Sequence, residues 1–246
     1  MLIIRPFIYN RYSDIICGFS TKLGPNANPP YYFNMSYSVG DKIENVDNNR
    51  KIFFAELGLK VNEVSFQKQV HEDNIQEVNT YGNCGESDAL ITTKKNLGLA
   101  ISSADCPAIF IYDPVKKIIA AVHSGWRGTE KKILQKTILK LKSDFNSNAS
   151  DLVCYIAPSV SKNNYEVGKK VADKFDEQFV IKRENKYFLN LSGANYKMMI
   201  DEGVKTVNIQ VSNLCSYEYE NLLHSYRRDG EKSCRALAVI AMKENS

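Results

Sequence analysis

The fold is best predicted from residues Ala104–Thr129, which read ADCPAIFIYDPVKKIIAAVHSGWRGT. Two apolar segments lie on either side of Asp113–Lys117, and the Asp-Pro pair that begins this polar sequence is typical of a turn. Two short apolar segments joined in this way are typical of antiparallel strands. The sequence therefore predicts a β-hairpin whose strands are Ala108–Tyr112 and Ile118–His123.

This hairpin is predicted to bring a thiol and an imidazole together. Pairing Tyr112 with Ile118 would set the register of the two strands. Cys106 then lies opposite Ser124, diagonally next to His123, and a one-residue change in loop length would set Cys106 directly against His123. Direct and diagonal cross-strand neighbours have Cβ atoms about 4.5–8 Å apart. Both registers thus place the thiol within reach of the imidazole.

A second histidine is expected at the same place. His71 lies just beyond the predicted strand Val64–Gln69, at the kind of position where functional residues often gather. Imidazole and thiolate are preferred ligands of Zn²⁺, and a site with three protein ligands keeps a fourth position open for water or substrate. Such an ion lowers the pKa of a bound water to about 7. His71, Cys106 and His123 are therefore candidate metal ligands and candidate catalytic residues.

Other interpretations of these residues stay open. Cys106 and His123 also fit a nucleophilic dyad in which the imidazole lowers the pKa of the thiol, and spacing does not distinguish this from metal ligation. The same ligands suit copper. The zinc nucleobase deaminases carry H-x-E followed by P-C-x-x-C. Because Cys106 precedes a proline and has no second cysteine nearby, that deaminase fold is not expected.

The composition restricts the class of protein. The chain has 246 residues, of which 24% are charged, and a net charge of +4 is too small a surplus to indicate a nucleic-acid partner. Three histidines are too few for a multicopper electron relay. Six scattered cysteines with no CxxC pair and no signal peptide indicate a reducing cytoplasm. No uncharged segment approaches the roughly 20 residues of a membrane span, so no membrane partner is expected.

The rest of the chain mixes helical and strand patterns without a linker or a repeat. It predicts a single domain over residues 1–246, of the α/β (α+β) class, with helices covering a mixed sheet. Apolar spacing predicts helices over Ile43–Leu57, Thr129–Lys142, Val167–Phe179, Leu191–Asp201 and Ser216–Leu223. Further strands are predicted over Leu2–Ile4, Ile15–Ser20, Ala89–Thr92, Leu97–Ser102, Leu152–Ile156 and Ala236–Met242.

Two arginine-containing segments are candidate anion sites. Gly125–Gly128 (GWRG) contains Arg127, whose guanidinium can hold a phosphate or carboxylate through two parallel hydrogen bonds. Its glycines permit the close approach of a ligand, although the segment fits a tight turn before the next helix equally well. Tyr226–Gly230 (YRRDG) is either a second anion site or a solvated loop.

Seven motifs are spread over the chain between about residue 15 and residue 242. They are GFST (18–21), QVH (69–71), SDALIT (87–92), SADCPAIF (103–110), HSGWRGT (123–129), APSVSKNNYEVG (157–168) and SYRRDG (225–230). Together and in this order they resemble the bacterial YfiH-like family, for which the pair formed by ADC-P and H-[AS]-GWRG is highly specific.

The resemblance implies a fold, a metal site and several activities. The fold is a layered α/β/β/α sandwich with mixed sheets, and the family's metal ligands carry over to His71, Cys106 and His123. The family has been named laccase-domain or polyphenol oxidase, peptidoglycan editing factor, and purine nucleoside phosphorylase with adenosine deaminase activity. Substrate-binding roles are expected for Lys22, Asn34, Gln69 and Arg127. The family motif STR-x-GG has a lysine at position 22 here, which lacks the guanidinium fork.

The expected function is a zinc-dependent enzyme of purine nucleosides. It would cleave adenosine, inosine and methylthioadenosine with phosphate and deaminate adenosine. Asp88 and Asp105 are candidates for moving protons, and each fits a structural hydrogen-bond acceptor equally well. One alternative is a copper-dependent polyphenol oxidase, with Cu²⁺ on the same three ligands. The other is a cysteine hydrolase or amidase that edits peptidoglycan precursors.

Overall fold

Three sheets and six α-helices make up the computed structural model, which describes residues 1–25 and 27–244. The strands are β1 (Ile3–Ile4), β2 (Ile15–Ser20), β3 (Val64–Lys68), β4 (Ile75–Glu77), β5 (Gly82–Glu86), β6 (Ala89–Thr92), β7 (Gly98–Ser103), β8 (Ala108–Asp113), β9 (Ile118–His123), β10 (Val153–Ile156), β11 (Glu166–Val167), β12 (Val180–Arg183), β13 (Lys186–Leu189), β14 (Ile209–Val211) and β15 (Ala236–Met242). The helices are α1 (Ile43–Glu56), α2 (Trp126–Glu130), α3 (Ile133–Phe145), α4 (Lys169–Ala172), α5 (Leu191–Asp201) and α6 (Tyr226–Asp229).

Both large sheets are mixed. The first has the order β1-β2-β15-β7-β3-β5, in which β7, β3 and β5 run parallel and the other neighbours antiparallel. The second has the order β14-β10-β8-β9-β6-β4, with parallel pairs at both edges and antiparallel pairs in the centre. A small third sheet, β11-β13-β12, is antiparallel.

The two large sheets pack face to face, and helices cover the outer face of each sheet, which gives four layers. Leu99 and Ile240 of the first sheet pack against Phe110 and Tyr112 of the second, and each of the four is fully buried. On the outer face of the first sheet lies α1, while α3 and α5 cover the outer face of the second. Burying each large side chain contributes about 1.5–3 kcal/mol. The predicted α/β/β/α sandwich with mixed sheets is confirmed.

The central hairpin forms as predicted, but its register is shifted by one residue. Tyr112 pairs with Ile119, and the expected pairing with Ile118 is wrong. The reason lies in the turn, because the Asp113 carboxylate accepts hydrogen bonds from the backbone N–H groups of the second and third residues after it, both at 2.9 Å. Asp113 therefore remains in the strand, and the ladder ends at the pair Ala108–His123, before Cys106 is reached.

The predicted helix Thr129–Lys142 is interrupted. The structure has α2 and α3 instead, with Lys132 between them in the left-handed region at φ 62°. The buried apolar face, formed by Ile133, Leu134, Ile138 and Leu141, begins only after Lys132. The chain can therefore change direction there without losing core contacts.

Two other helix predictions are wrong. Of Val167–Phe179 only α4 is α-helical, because its apolar residues pack around Leu189 and Leu191 beside the small sheet. Ser216–Leu223 forms turns, with Tyr217 and Tyr219 exposed. The apolar residues of the first segment are spaced as in a helix because they pack on the small sheet. In the second segment two of the apolar residues face solvent, so their spacing carries no helical signal.

None of the helices within the described ranges has the length and apolar character that crossing a membrane requires.

Candidate metal centre

Three side chains converge near the end of β3, the start of β8 and the end of β9. One ligand atom each of His71, Cys106 and His123 lies within 4.8 Å of the others. The two imidazole rings meet edge to face, with centroids 4.8 Å apart. His123 is buried, Cys106 is partly buried and His71 is exposed, so the group opens to solvent on the side of His71. Two nitrogens and one sulfur in this arrangement fit a tetrahedral metal ion with one open position.

Asp88 holds both histidines in place. Its fully buried carboxylate accepts hydrogen bonds from the backbone N–H groups of Val70, His71 and Glu72, at 2.9–3.1 Å. It also lies 2.7 Å from Nδ1 of His123. These bonds hold His71 in the left-handed conformation, at φ 60°. A proton on Nδ1 of His123 leaves Nε2 as the metal-binding nitrogen, the usual effect of a carboxylate behind a metal-ligating histidine.

The electrostatics of the site favour a thiolate. Burial alone would raise the pKa of Cys106, but hydrogen bonds with His123 and His71 lower that pKa to about 6. Burial would lower the pKa of His123, but its hydrogen bonds with Asp88 and Cys106 raise it to about 9. The thiol thus already carries the charge that a metal ligand needs, and metal binding would release the imidazole proton.

Gly125 provides the space for this group. A Cβ atom built on Gly125 would lie 2.9 Å from Sγ of Cys106 and 3.4 Å from the ring of His71. The φ of Gly125 is −64°, a value that alanine adopts freely, so only the lack of space opposes a side chain there.

The substitution Gly125→Ala is expected to lower the metal affinity about 10- to 100-fold, because Cys106 must move away from the two histidines. The measurement is competition with a chromophoric chelator. Gly168→Ala is the matched control, because Gly168 also precedes a helix, has φ −68° and has no atom within 4 Å of the added Cβ. Equal metal affinity in the two variants would contradict the close contact.

Asp105 connects the cysteine to a distant loop. It adopts φ 96°, a strained value for a residue other than glycine. Its carboxylate accepts hydrogen bonds from the hydroxyls of Ser216 and Ser225, at 2.6 and 2.7 Å, and from the backbone N–H of Arg227, at 2.6 Å. These contacts support a structural role for Asp105 and place Arg227 near Cys106.

The metal-ligand candidates lie in a cavity of about 1030 Å³. Its lining is rich in aromatic and cationic side chains, and Asp105 is the one acidic residue among the described residues that line it. The aromatic residues are Tyr37, Trp126, Tyr165 and Tyr226, and the cationic residues are Arg50, Lys68, Arg127, Arg227 and Arg235.

The structure brings two of the four predicted substrate-binding residues to this cavity. Arg127 is exposed, and its guanidinium carbon lies 4.4 Å from the Trp126 ring centroid. Gln69 also lines the cavity, but its side chain bonds to the backbone of Ser102. The Gln69 amide donates to the Ser102 carbonyl oxygen, at 2.9 Å, and the Gln69 amide oxygen accepts from the Ser102 N–H, at 2.7 Å. Gln69 therefore connects β3 to β7.

Lys22 and Asn34 lie outside the lining of the cavity. The Lys22 side chain is buried, with Nζ 4.8 Å from the Tyr32 ring centroid. The Asn34 amide is fully buried and bonds to Ser36 and Asp41. Substrate-binding roles for these two residues therefore stay predictions, away from the cavity that holds Gln69 and Arg127.

Several lining residues were not identified from the sequence. Arg50 gave no signal, because nothing in its local sequence distinguishes it from a structural residue, and Tyr165 was noted only as part of the motif APSVSKNNYEVG. Of the arginines in YRRDG, Arg227 lines the cavity, whereas Arg228 donates to backbone carbonyls at Ser216, Tyr217 and Leu223. The predicted solvated loop is wrong, because residues Tyr226–Asp229 form α6 and the Arg228 side chain is only 14% exposed, and the anion site stays a prediction.

The chain matches a known family of proteins. Residues 16–243 match a family model described as multi-copper polyphenol oxidoreductase laccase. Over 250 residues the chain is 31% identical to a Bacillus subtilis protein named purine nucleoside phosphorylase YlmD, covering 94% of this chain and 90% of that relative. It is 34% identical over 219 residues to a purine nucleoside phosphorylase of Clostridium acetobutylicum, covering 87% and 91% of the two chains.

Solved structures agree with these relatives. The crystal structure of the hypothetical protein YfiH of Bacillus licheniformis matches with a TM-score of 0.91 at 29% identity, covering 98% of this chain and 96% of that one. YlmD of Geobacillus stearothermophilus matches with a TM-score of 0.86 at 28% identity, covering 95% and 93%. The chain therefore belongs to the YfiH-like family, whose model is described as the multi-copper polyphenol oxidoreductase laccase family.

Proposed function

We propose that the chain is a zinc-dependent purine nucleoside phosphorylase that also deaminates adenosine. The observation that carries the proposal is an open His-Cys-His group at the wall of a cavity lined by aromatic and cationic side chains. The names of the Bacillus and Clostridium relatives support the phosphorylase activity. Adenosine, inosine and methylthioadenosine are the proposed substrates, and the reducing cytoplasm is the proposed location.

The three side chains fit a zinc ion. Two imidazoles and a thiolate are its usual ligands, and the carboxylate of Asp88 behind His123 is the usual support for such a ligand. When bound, Zn²⁺ supplies a Lewis acid and activates water at neutral pH. His71, Cys106 and His123 hold the ion, and Asp88 holds the histidines.

The remaining cavity residues bind the two substrates. The rings of Trp126 and Tyr165 offer flat faces for a purine. The guanidinium groups of Arg127 and Arg227 form no hydrogen bond to any described residue, and that of Arg227 lies 5.1 Å from the Tyr165 ring centroid. A guanidinium fork matches a phosphate geometrically and electrostatically, so these two arginines would hold inorganic phosphate beside the nucleoside.

The proposed reaction is a displacement at the sugar. A phosphate oxygen forms a bond to C1′ of the ribose, and the bond from C1′ to N9 of the purine breaks. The purine leaves with the electron pair and takes up a proton, which gives the free base and ribose 1-phosphate. In the second activity, water replaces the amino group at C6 of adenosine, and inosine and ammonia are formed.

The variant Arg127→Gln separates the two activities. The KM for phosphate is expected to rise about 10- to 100-fold, because a charge-assisted hydrogen bond to the anion is lost, while deamination uses no phosphate and should change little. Product analysis by chromatography measures both reactions. Arg183→Gln is the control, because Arg183 lies on β12 outside the lining of the cavity.

The proposal as a whole is tested with zinc-loaded protein, adenosine, inosine and phosphate. Ribose 1-phosphate, hypoxanthine and inosine are the expected products. If they do not exceed the level produced by the double variant His71→Ala/His123→Ala, the proposed function is wrong.

A copper-dependent polyphenol oxidase is a second candidate, favoured by the family description. The same three ligands bind copper, which the usual order of affinities places above zinc. The described residues contain one group of three or more metal-binding side chains, so a relay of several copper centres is not available within them. Metal analysis, combined with oxidation assays with and without added copper, distinguishes the two candidates.

A cysteine hydrolase or amidase acting on peptidoglycan precursors is a third candidate. Asp88, His123 and Cys106 follow one another as acceptor, base and nucleophile, as in the triads of cysteine and serine hydrolases. This candidate requires hydrolysis that persists after a chelator has removed all metal.

A further inference from the structure

A further cation of the cavity, Arg50, makes its contacts away from the metal-ligand candidates. Its Nε and Nη2 donate to the backbone oxygen of Met35, at 2.8 and 2.7 Å. The guanidinium carbon lies 4.2 Å from the Tyr37 ring centroid and 4.7 Å from that of Phe66. The guanidinium is thus fixed between two rings and a carbonyl, and Nη1 has no hydrogen-bond partner among the described residues.

Arg235 is a second fixed cation of the cavity. The backbone oxygen of Arg235 accepts a hydrogen bond from the N–H of Met35, at 3.0 Å. Its Nη1 donates to the backbone oxygens of Ser233 and Cys234, at 2.5 and 3.2 Å, and the guanidinium carbon lies 5.3 Å from the Tyr226 ring centroid. Each guanidinium group is therefore fixed by backbone carbonyls and an aromatic ring, and both arginines line the same cavity.

Neither group has a carboxylate at ion-pair distance. Among the described residues, no Asp or Glu forms an ion pair with Arg50 or Arg235. Asp47 attracts Arg50 and Asp105 attracts Arg235 from farther away, and Asp47 accepts a hydrogen bond from the Tyr37 hydroxyl. Burial lowers the pKa of both guanidinium groups. A partly buried cation without a partner is unfavourable, so two of them fixed by backbone carbonyls at a cavity wall indicate an anionic ligand.

We infer that Arg50 and Arg235 form a second anion subsite, which takes the 5′-phosphate of a purine nucleotide. The inference rests on the proposed function for the position of the purine beside Trp126. Ser36 and Ser38 line the same cavity and offer hydroxyl donors. The cavity volume of about 1030 Å³ is at the upper end of the usual range for small-molecule sites, about 300–1,000 Å³, and leaves room for a substrate larger than a nucleoside.

Titration calorimetry with zinc-loaded protein at low salt tests the subsite without turnover. Adenosine 5′-monophosphate is expected to bind about 10- to 100-fold more tightly than adenosine, because charge-assisted hydrogen bonds are added. Arg50→Gln and Arg235→Gln should each reduce the affinity for the nucleotide about 10-fold or more and leave that for adenosine unchanged. If wild-type protein binds both ligands equally well, the inference is wrong, whether or not the variants fold.

Further variants, and binding of inorganic phosphate alone, test which arginines hold the phosphate group of the nucleotide. Arg183→Gln should keep the preference for the nucleotide, and Arg127→Gln should keep it as well. If Arg127→Gln removes the preference while Arg50→Gln keeps it, the inference is wrong. It is also wrong if Arg50→Gln abolishes binding of inorganic phosphate alone and leaves nucleotide binding intact. A protein that prefers the nucleotide but forms no ribose 1-phosphate from nucleosides would overturn the proposed function and support the subsite.

Discussion

Replacing Asp88 by asparagine is expected to lower the metal affinity about 10- to 100-fold and to destabilise the fold by about 3–5 kcal/mol. Each carboxylate oxygen accepts two hydrogen bonds: Oδ1 from the backbone N–H of His71 and from the His123 ring, and Oδ2 from the backbone N–H groups of Val70 and Glu72. Asparagine has one acceptor oxygen, so its amide NH₂ must face two donors. One pair of bonds is lost in either orientation.

The stability and the metal affinity of the Asp88→Asn variant are separate measurements. Urea unfolding of the metal-free protein gives the change in the free energy of unfolding, and chelator competition gives the affinity. Asp73→Asn is the matched control in the same segment, because the Asp73 side chain is partly exposed and pairs with Lys136 at the surface. Surface pairs contribute about 0–1 kcal/mol. An Asp88 variant as stable as the Asp73 variant would show that the buried carboxylate does not organise the site.

The metal-ligand candidates could be predicted to lie together because a local element brings two of them together. A hairpin limits the distance between Cys106 and His123 whichever register it adopts, so the shift by one residue did not affect the conclusion. The GWRG motif was also informative, since Gly125 lies directly against Cys106. Short-range geometry of this kind is determined by backbone dimensions and is therefore readable from spacing.

The support of the site could not be predicted, because it depends on contacts between distant segments. For Asp88 the sequence leaves proton transfer and a structural acceptor role equally open, and nothing in its neighbourhood indicates four hydrogen bonds from two other segments. Likewise, the Arg50 side chain and the Arg235 backbone both bond to Met35 although 185 residues separate the two arginines in the chain. The helix predicted at Val167–Phe179 failed for the same reason, since its apolar spacing serves the packing around Leu189.

The substitution Cys106→Ala is expected to lower phosphorolysis about 1,000-fold, because the loss of a metal ligand removes several kcal/mol of stabilisation of the transition state. The measurement is the rate of ribose 1-phosphate formation together with the bound zinc per chain. Cys84→Ala is the control, because Cys84 is a partly exposed thiol on β5 outside the cavity. Added zinc should restore activity to chelated wild-type protein and to chelated Cys84→Ala, but not to Cys106→Ala.

The loss of activity in Cys106→Ala alone does not separate a metal ligand from a nucleophile, but His71→Ala does. Without His71 the contacts of Asp88 with His123, and of His123 with Cys106, are all kept, so a cysteine hydrolase would retain its triad. A metal site would be reduced to one nitrogen and one sulfur, too few to hold zinc. We therefore expect His71→Ala to lose zinc and phosphorolysis as completely as Cys106→Ala. A His71→Ala protein that stays active after chelation would instead identify Cys106 as the nucleophile.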